Sequence, residues 1–167
     1  MGNQFKNEIK EDMLKKVKIW NNSKKENLVF KKAFDKLGFN VIYFIIEQKL
    51  NDMSFMFCGC SSLRKIEFIS PKTDEVKNMK GMFHYWYSLR EINVNNFNTE
   101  SVTDMSYMFS HCNTLLELDV SSFVTKNVIS FYHMFSYNEY LMSLDLSKFE
   151  TSNAESMSHM FDNCQRL

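Results

Sequence analysis

Apolar side chains in this chain return at fixed offsets in five successive frames of equal length. Frames opened at Met53, Met79, Met105, Phe131 and Met157 superimpose without a gap. Three residues into each frame stands Met (Met56, Met82, Met108, Met134, Met160), and Phe follows at once (Phe57, Phe83, Phe109, Phe135, Phe161). Leu63, Leu89, Leu115, Leu141 and Leu167 share the next apolar position. Ile66, Ile92, Leu118 and Leu144, then Phe68, Val94, Val120 and Leu146, lie two residues apart, the alternation of a short strand with one buried face. The Met-x-x-Met-Phe group is apolar at i, i+3 and i+4, which predicts a short helical or 3₁₀ piece. Pro71, Phe97, Phe123 and Phe149 mark a bend, and Val76, Val102, Val128 and Ala154 close each unit.

A fixed period of this length implies one supersecondary unit stacked on copies of itself. No single unit can bury its apolar set alone, whereas stacking sets each Leu or Phe on its counterpart in the next turn. Each such burial contributes roughly 1.5–3 kcal/mol. Thr73, Thr99, Thr125 and Thr151 recur with the same period and predict a hydroxyl ladder serving backbone groups at a bend. Asn127 and Asn153 predict a partial ladder of the same sort.

The first fifty residues read differently. Phe5, Ile9, Met13, Val17 and Trp20 predict an amphipathic helix. Phe30, Ala33, Phe34 and Leu37 predict a second, stopped by Gly38. Residues 39–46 read as a strand. Extending the repeat frame backwards makes residues 27–52 a divergent first repeat, with the helix before it capping the open end of the stack. The organisation expected is therefore 1–52 as helical cap and divergent repeat, and 53–167 as five in-phase repeats, the last incomplete.

The pattern Met-x-x-Met-Phe-x-x-Cys-x-x-Leu-x-x-Leu-Asp-Leu-Ser-x-Phe-x-Thr-x-x-Val resembles the BspA-like leucine-rich repeat of mycoplasma lipoproteins and bacterial surface proteins. Met105-Ser106-Tyr107-Met108-Phe109, Leu118-Asp119-Val120-Ser121 and Leu144-Asp145-Leu146-Ser147 carry it best. It departs from the pattern at Trp86 and Asn138, in place of Cys, and at Pro71, in place of Phe. The resemblance implies a leucine-rich-repeat solenoid, α/β or mainly β: a right-handed coil with one repeat per turn and a parallel sheet on one face. It also implies a non-enzymatic protein-interaction module of adhesin type, exposed at the cell surface or secreted, with no catalytic residues to carry over. A cytosolic protein-binding scaffold built from the same repeat is the alternative, favoured if the chain as given is complete, since it begins with no signal peptide.

Charge changes the picture little: 20 basic and 20 acidic residues cancel. Residues 1–50 carry eleven Lys against six acids. That density is too low for a nucleic-acid partner. No apolar run is long enough to span a membrane. Cys60, Cys112 and Cys164 stand two turns apart, beyond disulfide reach, and Cys58 lies too near Cys60; free, mostly buried thiols are expected. No ligand spacing suggests a metal, and no cofactor is expected.

Two partner-binding faces are candidates. Outward positions on the strands would place Glu67, Glu91, Asn93, Glu117, Asp119 and Asp145 in an acidic stripe suited to a basic, possibly host-derived, protein partner. Tyr85, Tyr87, Tyr107, Tyr137 and Tyr140 flank the Met-Phe segments and are aromatic contact candidates; half-buried packing explains them equally well. His133 and His159 share one repeat position and are expected to stack.

Overall fold

Val17-Lys18-Ile19-Trp20-Asn21 is rich in β-branched and aromatic residues and is followed by Asn22-Ser23, a strand-and-turn signature. In the structure, a computed structural model describing residues 17–21, 24–27, 42–46, 49–61, 64–66, 68 and 71–167, this segment is strand β1 (Val17–Asn21). It pairs antiparallel with β2 (Lys24–Asn27) and β3 (Ile42–Ile46), in the order β2-β1-β3. The helix expected through Val17 and Trp20 is thus a strand over its last turn, because local β propensity outweighs the i, i+4 spacing. The rest of that helix, and the one at Phe30–Leu37, lie outside the described residues. β3 falls within the expected strand at 39–46, but its partner is β1, antiparallel, rather than a parallel neighbour in the repeats. The repeat frame resumes at Leu50, buried in one cluster with Val76, Val102 and Val128.

From Asp52 onward the backbone repeats its bonding with the sequence period. Residues at four alternate positions of each rung donate to carbonyls of the following rung. In the third rung these are Met105 to Ser130, Tyr107 to Tyr132, Phe109 to Met134 and His111 to Ser136, at 2.9–3.0 Å. The same four bonds form in the rungs that open at Met53, Met79 and Phe131. Two residues before each opening residue the donors point back: Lys77 to Asn51, Thr103 to Lys77, Ile129 to Thr103 and Glu155 to Ile129, each 2.8 Å. Parallel bridges run from Asp52 through Asn78, Asp104 and Ser130 to Ser156. The sheet at the Leu-x-Leu face is short: β4 (Lys65–Ile66) pairs parallel with β5 (Glu91–Ile92), and a single bridge joins Glu117 to Ser143.

The Met-x-x-Met-Phe segments are tight turns rather than helix. The residue just before the Met-Phe pair stands in the left-handed region in the first, third, fourth and fifth rungs (Phe55, Tyr107, His133, His159; φ 55–59), and Gly81 does so in the second. Four residues on, Gly59, Tyr85, His111, Tyr137 and Asn163 do the same. A left-handed residue breaks a helix, yet leaves each N–H aimed along the stack.

Inside the rungs, Leu89, Leu115 and Leu141 are fully buried in one core with Met79, Met82, Met105 and Met108. Leu63 lies outside the described residues, and Leu167 is exposed. The phenylalanines form a ladder: Phe57–Phe83, Phe83–Phe109, Phe109–Phe135 and Phe135–Phe161 have centroids 5.4–6.0 Å apart and nearly parallel rings.

The polar ladders are equally regular. Thr99 Oγ1 accepts from the Val124 N–H and donates to its carbonyl, and Thr125 does both with Glu150. Asn127 and Asn153 donate to the Glu100 and Lys126 carbonyls.

The Cys position carries one function through three residue types. Trp86 Nε1, Cys112 Sγ, Asn138 Nδ2 and Cys164 Sγ donate to the carbonyls of Phe57, Phe83, Phe109 and Phe135, each pair one repeat beyond the last. What the position requires is a donor, which explains why Trp and Asn substitute for Cys. All four cysteines are thiols, joined in no disulfide.

Candidate functional site

The left-handed columns put bulky side chains on one face. An L residue with a β-carbon in this region carries a penalty of roughly 1–2 kcal/mol, one that Gly avoids. Gly and Asn occupy only Gly59, Gly81 and Asn163, while Phe55, Tyr85, Tyr107, His111, His133, Tyr137 and His159 fill the rest. The rings compensate by stacking from rung to rung. Tyr107–His133 and His133–His159 are parallel at 5.1 and 4.8 Å, as expected for the two histidines. His111–Tyr137 is parallel at 4.2 Å, and Tyr85 lies 4.8 Å from His111.

Between the two ring columns runs an open groove of about 320 Å³, lined by Phe55, Lys80, His84, Tyr85, Tyr107, Ser110, His111, His133, Ser136 and Tyr137. Because stacked rings cover each other's faces, their rims border the groove. Its floor is a hydroxyl chain: Ser136 Oγ donates to the His133 carbonyl at 3.0 Å, so Ser110 Oγ donates to Ser136 Oγ at 2.9 Å. Buried His84 donates from Nδ1 to the Ser110 carbonyl at 3.1 Å, which fixes its neutral tautomer.

Burial holds His84 down to about 4. His111 and His133 are also lowered, in each case first by burial. Burial and the phenol of Tyr132 push Tyr107 up to about 12. Burial thus favours neutral imidazoles in the groove, whose lining holds one lysine, Lys80, and no carboxylate.

Of the tyrosines expected as contacts, Tyr85, Tyr107 and Tyr137 meet in this groove. Tyr87 stands exposed at its margin, 5.7 Å from the Tyr85 ring. Tyr140 lies apart from the lining, beneath the Arg166 guanidinium at 4.7 Å. The sequence reading missed His84, His111, Ser110 and Ser136. For His111 the signal was present, since Gly59 and Asn163 in its column mark left-handed backbone, whereas His84, Ser110 and Ser136 share a repeat position outside both columns.

Of the expected acidic stripe, Glu91, Asn93, Glu117, Asp119 and Asp145 are exposed. Glu67 lies outside the described residues. Glu91 pairs with Lys65 at 3.0 Å, both exposed. Asn93 and Asp145 each accept the N–H two residues on, from Asn95 and Ser147. Asp119 accepts from the Ser121 hydroxyl, from the Ser121 N–H and from Asn95 Nδ2, which keeps its carboxyl below the usual range. These are turn-forming side chains, repeated because the turn is. Glu117 is exposed. Lys65, Arg90, Ile66, Ile92 and Leu116 interleave with the acids around a broader depression of about 830 Å³, so this face is mixed in charge and partly apolar.

Among the described residues, no group of three or more His, Cys, Asp or Glu side chains is placed to hold a metal ion. Among them, too, no helix is long and apolar enough to cross a membrane.

No curated protein and no solved structure is significantly similar to the chain. Residues 1–84 and again 51–167 match the family described as "Mycoplasma protein of unknown function, DUF285". The two matches together span all 167 residues, overlapping through the first rung, and the chain belongs to this mycoplasma family.

Proposed function

We propose that residues 53–167 form a leucine-rich-repeat solenoid of the BspA-like kind, acting as a non-enzymatic, surface-exposed interaction module of adhesin type. The observation that carries this reading is the ring-lined groove. Seven bulky residues occupy backbone positions where Gly is the unstrained choice, and the inference from such strain runs toward function. Their rings give a partner rigid area with polar rims, the composition favoured at contact surfaces. The mixed-charge sheet face is the lesser candidate, because Asp119 and Asp145 are engaged in their own turns.

The test is binding of the purified chain to fixed host epithelial cells. Saturable binding that falls about tenfold in a Tyr85→Leu/Tyr137→Leu variant supports the reading. Binding lost instead on Glu91→Lys/Glu117→Lys moves the site to the sheet face. No saturable binding removes the adhesin role.

A further inference from the structure

Resting on that module reading, we infer that the groove takes a proline-rich segment in the polyproline II conformation, laid along the axis of the stack. The first ground is spacing. Tyr85 and Tyr137 share one wall two rungs apart, with Tyr107 on the opposite wall at the rung between. At the usual strand separation two rungs span about 9.5 Å. A polyproline II turn of three residues rises about 9.3 Å. Two successive ligand turns therefore meet the same wall at Tyr85 and Tyr137. A β-strand repeats at about 6.7 Å and falls out of step within one turn.

Hydrogen-bonding complementarity is the second ground. The lining offers N–H and O–H groups from Lys80, Tyr137, His111 and His133, and no carboxylate. Polyproline II leaves every carbonyl of the ligand unpaired and presents few donors, so donors on the groove meet acceptors on the ligand. An α-helix has already used its carbonyls internally and is about 10–12 Å across. Tyrosine-rimmed grooves suit proline rings because both surfaces are rigid before they meet, which limits the entropy lost on binding. Lys80 at one end adds a preference for a neutral or acidic segment.

The experiment titrates the full chain into a fluorescein-labelled nonaproline peptide and follows anisotropy, with a Gly-Ser peptide of equal length as the comparison. Saturable binding of nonaproline at least fivefold tighter than of Gly-Ser is expected. Tyr137→Phe, which keeps the ring stack and removes one donor, should weaken it about threefold or more. Tyr140→Leu, outside the groove, should leave it unchanged. Equal binding of the two peptides, absence of saturation, or indifference to Tyr137→Phe in a protein with native circular dichroism overturns the inference. Host-cell binding that persists while nonaproline does not bind overturns it too, and leaves the module reading standing.

Discussion

His84 shows how one side chain ties the groove to solution conditions. Its ring is enclosed by Tyr85, Tyr107 and His111, and its pKa stands at about 4 against about 6.5 unfolded. The unfolded chain therefore binds more protons between these values, so stability is full above pH 6.5 and declines as pH falls towards 4. The loss attributable to this residue is up to about 3 kcal/mol by linkage. His111 and His133, shifted in the same direction, add to it. Urea titrations of His84→Gln at pH 7 and pH 4.5 should show a much smaller difference than the parent; an equal difference would place the acid lability elsewhere.

Asn138 makes a second residue-scale case. Both its donors are used, on the Phe109 and Phe135 carbonyls, but its buried Oδ1 has no partner. Asn138→Cys keeps a donor and removes the orphaned acceptor, and should stabilise by about 1 kcal/mol, read as a rise in Tm.

At the scale of the element, the rung divides into parts that were legible and a part that was not. The Thr ladder and the buried Leu and Val columns followed directly from residue type and spacing, because one position serves one purpose in every copy. The Met-x-x-Met-Phe turn did not. A helix and a turn with a left-handed residue both place i, i+3 and i+4 side by side, and Tyr and His conceal a backbone state usually announced by Gly. Within the acidic stripe, Asp119 and Asp145 precede Ser by two residues, a turn signal that charge alone obscures. The β1 segment shows the converse, since Val17, Ile19 and Trp20 satisfy helical and strand patterns together.

Two comparisons test the element. Thr125→Val removes both bonds to Glu150 and should destabilise by about 1–3 kcal/mol in chemical denaturation, whereas the exposed Thr151→Val should change little. The Cβ added in Gly81→Ala runs into the Phe55 ring, while that of Gly59→Ala, also left-handed, meets nothing within 4 Å. Both carry the left-handed penalty, so any greater loss of Tm in Gly81→Ala measures how firmly Phe55 is held; equal losses would mean that its ring moves freely aside.

Across the described rungs, cohesion passes between neighbours. Within its column Phe109 stacks on Phe83 and Phe135, the rings one rung away on either side. Phe109→Ala should cost about 3–5 kcal/mol. Amide exchange should accelerate most at Phe83, Phe109 and Phe135 and least near Met53, as expected of a quasi-one-dimensional array. Uniform acceleration along the chain would instead indicate a single cooperative unit.

The forward-pointing N–H groups and backward-pointing carbonyls of the turn ribbon make every junction between rungs interchangeable with every other. Length is then a quantised variable. Excising or duplicating one whole period rejoins surfaces that already mate. A piece one residue shorter or longer shifts each donor off its acceptor, rotates the Thr and Phe columns out of line and interrupts the groove. Within such a lineage, variation in reach would come in whole periods, and the ring face would lengthen or shorten without being redesigned.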